Sequence, residues 1–492
     1  MPAMAKSLSE IMSDVEVQDS SGDIEVLIKG IAMDSRRVKE GDLYACVPGF
    51  KVDGHDFAAA AVESGAAALL VERFLPLEVP QVKVASVRQT MGPIAAVIYG
   101  RPSERLELIG VTGTNGKTTI TYLIEKIASH QRQKVGIIGT LGARIGGREI
   151  PGERTTPEAI EVQQLLGEMV SEGVSVAVME VSSHALDLGR VAGCEFDVGI
   201  FTNLTQDHLD YHKTMEEYLN AKSKLFVNLR GEKQPKFSIL NGDDPAFLKL
   251  VKVSSAPVVT YGINNQEADF RAGKVRVTAD GVRFQVCFKE KIQDITYATP
   301  GFFSVYNALA AFAWGVERGY DPKDVAEALA EIPGVPGRFE SVRCGQPFQV
   351  IVDYAHTPDG LENVVRTARD FTQGKLITVF GCGGDRDRGK RPLMGKVASQ
   401  GSDFLIVTSD NPRTEDPQLI IQEILQGLST IDYLALPDRR EAIEKACHMA
   451  KPGDTVLIAG KGHETYQIFG TEVHPFDDRE VARESLRRLG YA

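Results

Sequence analysis

The segment LELIGVTGTNGKTT, residues 106–119, limits what this chain can fold into more than any other part of the sequence. Its apolar run predicts a strand, its glycines predict a tight loop, and ITYLIEKIASH after it predicts a helix. Backbone N–H groups of such a loop bind phosphate oxygens, Lys117 adds a positive charge, and the Thr118 hydroxyl can bind Mg²⁺. A glycine-rich turn without a ligand would not require these polar residues. The candidate nucleotide-binding residues are Gly113, Thr114, Asn115, Gly116, Lys117, Thr118 and Thr119.

Short apolar runs alternate with helix-forming segments on both sides of position 335, which predicts an α/β fold with parallel sheets covered by helices. In the middle of the chain, further strands are predicted at 134–140, 174–180, 197–203 and 237–244, with helices at 157–172, 214–229 and 304–331. Alternating residues around Asp280-Gly281 predict a hairpin between 270 and 298. A second strand series is predicted at 348–354, 375–381, 403–409 and 454–460.

Breaks in this pattern divide the 492 residues into three predicted domains. We expect a smaller N-terminal α/β domain over 1–102 and a doubly wound, mostly parallel sheet carrying the phosphate loop over 103–335. A Rossmann-like α/β domain is expected over 336–492. Polar clusters follow its strands (DYAHTPDG, GCGGDRDRGKRP, SDNPRTEDP and GKGHE), where open α/β sheets bind ligands.

Composition argues against several classes of partner. The net charge of -12 disfavours nucleic acid and membrane surfaces, because these require a cationic face. The six cysteines contain no C-x-x-C pair, which favours reduced thiols over disulfides or zinc. The N-terminal segment has no apolar core of signal-peptide length, and no run of about 18 apolar residues follows it. We therefore expect a cytoplasmic protein, without membrane insertion or nucleic acid, and a monomer.

The phosphate loop departs from the general pattern at Val111, where a glycine is usual. In this respect TGTNGKTT resembles the loop of the Mur ligase family, and the resemblance extends over essentially the whole chain. It implies an ATP-dependent carboxylate–amine ligase, related also to folylpolyglutamate synthetase and cyanophycin synthetase.

Three residues behind the loop are candidate metal-site residues. Glu180 ends an apolar strand, where a carboxylate can serve a hard cation or a salt bridge. His208 also follows a strand end, although a lone histidine is more often structural than a ligand. Composition alone predicts that Lys222 is a solvated surface lysine. The resemblance implies that Glu180 and His208 bind a second Mg²⁺. It also implies that Lys222, in A-K-x-x-L-F, carries a CO₂-derived carbamate; Lys117, Glu180, His208 and Lys222 are the candidate catalytic residues and Thr118 a further metal ligand.

The resemblance also implies where the substrates bind. The string Ser182-Ser183-His184 lacks the G-x-S-x-G elbow of serine hydrolases, and in the family this segment binds a peptide. The substrate contacts carried over here are Thr155, Thr156, Ser182 and Arg190, with Ser35, Phe50, Lys51 and Val52 for a UDP-sugar. Further nucleotide contacts carried over from the family are Asn307, Arg338 and Asp353.

The motif DNPR at 410–413 matches the diaminopimelate-adding members of the family, whereas lysine-adding members lack its arginine. A guanidinium pairs bidentately with the extra carboxylate of diaminopimelate, and lysine would leave it unpaired. The candidate residues for the added amino acid are Arg386, Asp410, Asn411, Pro412, Arg413, Gly460 and Glu464.

The interpretation is an amide ligase that uses ATP and two Mg²⁺ ions to join meso-diaminopimelate to UDP-MurNAc-L-Ala-D-Glu through an acyl phosphate. A lysine-adding ligase and a folylpolyglutamate synthetase-like ligase are the alternatives within the family. The alternative from another class is a phosphate-loop ATPase that switches a partner.

Overall fold

The structure is a computed structural model, and it describes residues 5–49, 52–152, 154–231 and 235–491. Three separate parallel or mixed sheets follow one another along the chain. No helix in these described ranges is both long and apolar enough to cross a membrane.

The first sheet has five strands in the order β2-β7-β6-β5-β4, with β2 antiparallel to β7 and the others parallel. Strands β1 and β3 form a separate antiparallel pair. The strands are Lys6–Ser7 (β1), Asp19–Ser21 (β2), Leu27–Ile28 (β3), Gly30–Ala32 (β4), Asp42–Ala45 (β5), Ala68–Val71 (β6) and Gln81–Lys83 (β7). The helices are Leu8–Ile11 (α1), Ala58–Glu63 (α2) and Val87–Ile98 (α3), with 3-10 turns at Ser35–Arg37, Gly54–Phe57 and Pro102–Glu104.

The second sheet has eleven strands, in the order β11-β10-β9-β12-β8-β13-β14-β15-β16-β17-β18. Its strands are Glu107–Thr112 (β8), Val135–Gly139 (β9), Gly142–Ile145 (β10), Arg148–Ile150 (β11), Val176–Glu180 (β12), Val198–Phe201 (β13), Phe237–Asn241 (β14), Val258–Gly262 (β15), Phe270–Thr278 (β16), Gly281–Phe288 (β17) and Lys291–Tyr297 (β18). Its helices are Lys117–His130 (α4), Ala159–Ser171 (α5), Ser183–Asp187 (α6), Leu209–His212 (α7), Met215–Val227 (α8), Phe247–Val253 (α9), Phe302–Glu317 (α10) and Pro322–Ala330 (α11).

The seven central strands of this sheet run parallel, in the order β9, β12, β8, β13, β14, β15 and β16, and antiparallel pairs close both edges. Strand β8 lies between β12 and β13, so the chain reverses its direction of winding beside β8. This reversal opens a crevice at the carboxyl ends of the strands, where the phosphate loop follows β8. The tertiary order therefore places the ends of β12 and β13 next to the loop.

The third sheet has six strands in the order β19-β20-β24-β21-β22-β23, all parallel except β19. A separate hairpin, β25-β26, follows it. The strands are Glu340–Ser341 (β19), Gln349–Asp353 (β20), Leu376–Phe380 (β21), Phe404–Val407 (β22), Tyr433–Ala435 (β23), Thr455–Ala459 (β24), Tyr466–Phe469 (β25) and Glu472–Pro475 (β26). The helices are Pro358–Phe371 (α12), Lys390–Gly401 (α13), Pro417–Leu425 (α14), Arg439–Met449 (α15) and Asp478–Arg488 (α16).

The predicted α/β class, the parallel strands and the hairpin around Asp280-Gly281 are confirmed. The segment 304–331 differs in detail, since it forms two helices instead of one. Gly319 adopts a left-handed backbone (φ +85°) after α10, and Pro322 begins α11 because a proline cannot donate to a preceding turn. Apolar side chains from helices and strands form buried clusters on both faces of the second and third sheets.

Candidate active site

The phosphate loop folds tightly over its own lysine. Gly113 (φ +145°) and Gly116 (φ +89°) have backbone conformations that favour glycine, and a Cβ on Gly113 would lie 1.8 Å from Thr202 Oγ1. Helix α4 begins at Lys117, whose Nζ donates to the carbonyl oxygens of Gly113 (3.0 Å) and Thr114 (2.8 Å). Burial lowers the pKa of Lys117. The loop thus concentrates backbone amides and one ammonium group at the start of a helix.

Glu180, at the end of β12, reaches the first turn of α4. Its side chain is 1% exposed, and it accepts hydrogen bonds from the Thr118 hydroxyl (3.0 Å) and from the Thr140 amide (2.8 Å) and hydroxyl (3.0 Å). A Cβ on Gly139 would lie 2.3 Å from Glu180 Oε1, so glycine leaves room for the carboxylate. An oxygen-rich corner therefore adjoins the phosphate loop, as the sequence predicts for a hard cation.

Lys222 comes from the middle of α8 and lies beneath the loop. It is 1% exposed; its Nζ donates to the Gly113 carbonyl (2.7 Å) and lies 4.4 Å from the centre of the Tyr218 ring. Burial, and then the charge of Lys117, lowers the pKa of Lys222 well below its usual range. The structure therefore makes Lys222 a buried amine beside the phosphate loop, and not the surface lysine that composition alone suggests.

His208 sits in a left-handed conformation (φ 56°) directly before α7. Its ring packs 4.8 Å from that of His184, and its Nε2 lies 3.3 Å from Asp207 Oδ2. Burial, against the opposing charge of Asp207, lowers the pKa of His208. Across the described ranges no three His, Cys, Asp or Glu side chains form a complete metal site. A cation bound here would need oxygen ligands from hydroxyls, phosphate or a modified side chain as well.

A cavity of about 230 Å³ extends from the loop between the second and third sheets. Its lining includes these residues predicted to bind nucleotide: Asn115, Gly116, Thr119, Asn307, Arg338 and Asp353. A Cβ on Gly116 would lie 2.5 Å from Asn307 Oδ1, so the asparagine packs directly on the loop. Both Asp353 oxygens accept backbone amides, from Phe339 and Ala355 (2.7 Å each), and burial raises the pKa of Asp353.

Two side-chain contacts join the phosphate loop to the C-terminal part of the chain. Arg338 donates to the Thr118 hydroxyl (2.9 Å) and stacks on Tyr354, with its guanidinium 4.6 Å from the ring centre. Asn115 donates through its side-chain amide to Asp359 at the start of α12 (2.9 Å). The residues predicted to bind nucleotide therefore come together from the parts of the chain that form the second and third sheets.

A larger cavity of about 570 Å³ lies on the other side of the loop. It brings together these further predicted residues: Thr114, Lys117, Thr118, Thr155, Thr156, Glu180, Ser182, Arg190, His208, Arg386, Asp410, Asn411, Arg413, Gly460 and Glu464. Candidate phosphate, metal and amino-acid groups thus face one space.

The segment 155–190 forms one wall of this larger cavity. The Thr156 hydroxyl donates to the Glu180 carbonyl (2.8 Å) and accepts from the Ser182 amide (3.1 Å). Arg190 lies 3.1 Å from Glu158, which also pairs with Arg154. This wall presents hydroxyls and guanidinium groups next to the oxygen-rich corner at Glu180.

Basic and acidic side chains face each other on the opposite wall. A Cβ on Gly383 would lie 3.0 Å from Arg413 Nη1 and 3.8 Å from Arg386 Cγ, so the two arginine side chains approach the same point. Burial, and then the charge of Arg413, lowers the pKa of Arg386. Glu464 accepts from Asn411 (2.9 Å) and from buried Lys461 (2.8 Å). Burial, and then the charge of Asp410, raises the pKa of Glu464. The guanidinium groups of this wall can therefore bind an anion, and its carboxylates can bind a cation.

Some predicted residues lie elsewhere. Ser35, in the turn beside the first sheet, and Val52, 62% exposed, are outside the described linings of both cavities. Phe50 and Lys51 fall outside the described residues. The Pro412 carbonyl oxygen packs closely against Gly384. Pro412 is not among the described residues that line the larger cavity.

Sequence reasoning missed several residues that the site uses. The Thr140 hydroxyl donates to Glu180, and the Asp359 carboxylate accepts from the Asn115 side chain. Lys461 forms an ion pair with Glu464. Each stands at or just after a predicted strand, so the strand-end rule could have found them. The polar clusters DYAHTPDG and GKGHE contain two of the three.

Three family profiles match consecutive parts of the chain. They describe the Mur ligase family, catalytic domain (residues 27–99), the Mur ligase middle domain (111–315) and the Mur ligase, glutamate ligase domain (337–462). The chain belongs to the Mur ligase family. As a Mur ligase it is an ATP-dependent amide ligase, which excludes the alternative of a switch ATPase.

Individual relatives cover this Mur ligase almost completely. The UDP-N-acetylmuramoyl-L-alanyl-D-glutamate–2,6-diaminopimelate ligase of Geobacillus thermodenitrificans is 51% identical over 465 residues, 94% of this chain and 95% of its own. That of Syntrophomonas wolfei is 48% identical, over 98% of this chain and 99% of its own. A solved ligase of the same name is 34% identical, with a TM-score of 0.72, over 99% of this chain and 100% of its own. The MurF ligase of Thermotoga maritima, solved with ADP, is 19% identical (TM-score 0.65, 93% of this chain, 97% of its own) and shares the fold.

Proposed function

We propose that this Mur ligase uses ATP to join meso-diaminopimelate to the D-glutamate of UDP-MurNAc-L-Ala-D-Glu. The observation that carries this proposal is that Arg386 and Arg413 face the same cavity as the phosphate loop, beside Glu464. Relatives about 50% identical over nearly the full chain carry this activity in their names. We further propose that the protein is a cytoplasmic monomer, with domains at 1–102, 103–335 and 336–492.

The charge pattern of the cavity fits a zwitterionic end of the amino acid. Two neighbouring guanidinium groups repel each other, and a carboxylate between them removes this repulsion while forming charge-assisted hydrogen bonds. Glu464 and Asp410 can then receive the ammonium group of the same centre. Lysine lacks the distal carboxylate, so it would leave both arginines unpaired; this favours diaminopimelate over a lysine-adding activity.

In the proposed reaction, a γ-carboxylate oxygen of D-glutamate attacks the γ-phosphorus of ATP, and ADP leaves. The diaminopimelate amine then attacks the carbonyl carbon of the acyl phosphate, loses a proton, and expels inorganic phosphate as the amide forms. Lys117, Arg338 and the loop amides stabilise the charge on the transferring phosphoryl group. Asn307 and Asp353 line the space for the rest of the nucleotide.

The residues present fit Mg²⁺, because Thr118 and Glu180 supply hard oxygen atoms in a buried corner next to the phosphate loop. Bound Mg²⁺ would neutralise phosphate charge, with Thr118, Glu180, His208 and Lys222 as proposed holders of the two ions. The lowered pKa of Lys222 favours its neutral amine, whose nitrogen can bond to the carbon of CO₂ and release a proton. This change would turn a buried amine into an anionic oxygen ligand.

The remaining substrate contacts are proposed from the family resemblance. Thr155, Thr156, Ser182 and Arg190 line the cavity next to the phosphate loop and would hold the dipeptide. Ser35 and the segment 50–52 would bind the UDP-sugar on the first sheet.

One assay tests the proposal: the purified protein is incubated with UDP-MurNAc-L-Ala-D-Glu and ATP, and meso-diaminopimelate is compared with L-lysine as acceptor. We expect phosphate release and a tripeptide product with meso-diaminopimelate, and none with the Lys117→Ala variant. Preferential use of L-lysine would overturn the choice of amino acid. Phosphate release that needs no amine, or a fully active Lys117→Ala variant, would overturn the mechanism.

A further inference from the structure

Arg386 and Arg413 stand on two loops, residues 381–386 and 410–415, which we call the arginine loops. The loops are in direct backbone contact: the Gly384 amide donates to the Asn411 carbonyl (2.9 Å), and a Cβ on Gly384 would lie 1.8 Å from the Pro412 carbonyl oxygen. Arg413 also donates to the Gly384 carbonyl (2.8 Å). The distance between the two guanidinium groups is therefore set by how the loops are fastened together.

Glu415 fastens the two loops at one carboxylate. Its Oε1 accepts from the Asp385 amide (2.6 Å), directly before Arg386. The same carboxylate binds Arg391 bidentately, at 2.8 and 2.9 Å, and fully buried Arg391 also donates to the Gly383 carbonyl (3.2 Å). A glutamate from one arginine loop and an arginine from α13 thus hold the backbone of the other loop.

Both loops need such an anchor, because each contains a non-glycine residue in the left-handed region. Asp385 and Arg413 both have φ 53°, a conformation that L-residues adopt at a cost. The Thr414 hydroxyl donates to Asp385 Oδ1 (2.7 Å), which adds a further bond between the loops. Strained backbone persists only where neighbouring groups over-determine it. Glu415 holds the Asp385 amide, whereas the Arg413 backbone is held by the Ile468 carbonyl (3.0 Å) and the Gly470 amide (2.7 Å).

We propose that Glu415, with Arg391, is a positioning pair that determines selectivity for an amino acid with a distal carboxylate. Glu415 is not among the described residues that line the larger cavity. It therefore acts by positioning Arg386 and Arg413 and does not touch the substrate. The inference rests on the proposed function, since it assumes that these two arginines receive the carboxylate.

Glu423 supplies a matched control. It lies on α14, and its Oε2 accepts from the same Arg391 nitrogen (2.7 Å) that binds Glu415, while its other contact is with exposed Arg388. Glu423→Gln therefore removes one carboxylate charge from Arg391, as Glu415→Gln does. Glu415 alone joins Arg391 to the Asp385 amide, and Glu415→Gln places an amide nitrogen, a donor, against one of these donors. Glu423→Gln leaves these three bonds intact, so the two variants separate loop positioning from general stabilisation.

The test measures KM for meso-diaminopimelate, KM for ATP, kcat and the preference for meso-diaminopimelate over L-lysine in both variants. Loss of one charge-assisted hydrogen bond corresponds to about a tenfold rise in KM for meso-diaminopimelate in Glu415→Gln. In Glu415→Gln we expect KM for ATP to stay unchanged and the preference for meso-diaminopimelate over L-lysine to decrease. Glu423→Gln should resemble the wild type in all four quantities.

Equal effects in the two variants, or a Glu415→Gln variant with unchanged KM and selectivity, would overturn the inference. If Glu415→Gln does not fold, Thr414→Val removes the exposed bond to Asp385 without touching Arg391, and it should raise the same KM; an unchanged KM would count against the proposal. A wild type that does not use meso-diaminopimelate would instead overturn the proposed function, so the two failures can be told apart.

Discussion

Thr140 supplies two of the three hydrogen bonds that hold the buried Glu180 carboxylate, through its amide (2.8 Å) and its hydroxyl (3.0 Å). Thr118 supplies the third, also at 3.0 Å. Thr140→Val keeps the shape and the amide bond but removes the hydroxyl. Glu180 should then lose its fixed direction towards the phosphate loop, where we propose that it binds Mg²⁺.

The size of the effect follows from the bond that is lost. A hydrogen bond to a charged group contributes about 1.5–3 kcal/mol, which corresponds to about a 10- to 100-fold loss of kcat/KM for ATP. The Thr140 hydroxyl also lies 3.1 Å from that of Thr155, so a smaller rise in KM for the UDP-linked substrate should accompany this loss.

The assay is steady-state ADP release with both substrates saturating and ATP varied over a range of Mg²⁺ concentrations. Thr140→Ser is the control, because it keeps the hydroxyl and should retain most of the activity. We expect the Thr140→Val defect to shrink as Mg²⁺ rises. A Thr140→Val enzyme as active as Thr140→Ser would refute the reasoning that this hydroxyl orients Glu180.

Three more outcomes follow from other parts of the structure. Arg413→Met should reduce the preference for meso-diaminopimelate over L-lysine while leaving KM for ATP unchanged; an intact preference in competition assays would contradict the carboxylate assignment. Glu107→Leu should lower stability by about 3 kcal/mol, because it leaves the partly buried Arg318 without its 2.6 Å partner; a urea-unfolding midpoint equal to that of the wild type would contradict this. The hydrogen bonds from Arg391 hold the pKa of Glu415 at about 2, below its usual 4.5. The stabilisation from Glu415 is therefore present above pH 4.5 and is lost as the pH falls towards 2, so the difference in melting temperature between wild type and Glu415→Gln should narrow over that interval.

Much of the architecture could be predicted because local signals and tertiary context agree. Each strand predicted outside the hairpin in the second and third sheets is a short apolar run, as expected for parallel strands covered by helices on both faces. The phosphate loop could be predicted because its glycines and Lys117 are adjacent in sequence, and the structure shows the left-handed backbone that those glycines allow. The break between α10 and α11 also has local causes in the sequence, namely Gly319 and Pro322.

The roles of polar residues could be predicted less well. Glu180 and Lys222 were selected by family resemblance, since a carboxylate at a strand end and a lysine on an amphipathic helix have ordinary alternatives. Thr140 and Asp359 stand at or shortly after predicted strands, but the sequence does not identify the partner of either residue, because each contact joins positions 40 or more apart. Their assignment as functional residues stays a prediction until the variants are measured.

The sequence by itself determined the kind of elements and their chemistry: a phosphate loop between a strand and a helix, apolar strands, and polar clusters at strand ends. Only the tertiary structure decided which of these ends meet. The order of the second sheet puts β8 between β12 and β13, and the third sheet brings Arg338, Arg386 and Arg413 across to the loop. Burial then follows from packing, which makes Lys222 a buried amine with a lowered pKa and not a solvated surface charge. The physical reason is that desolvation and neighbouring charge depend on positions in space, which local periodicity does not encode.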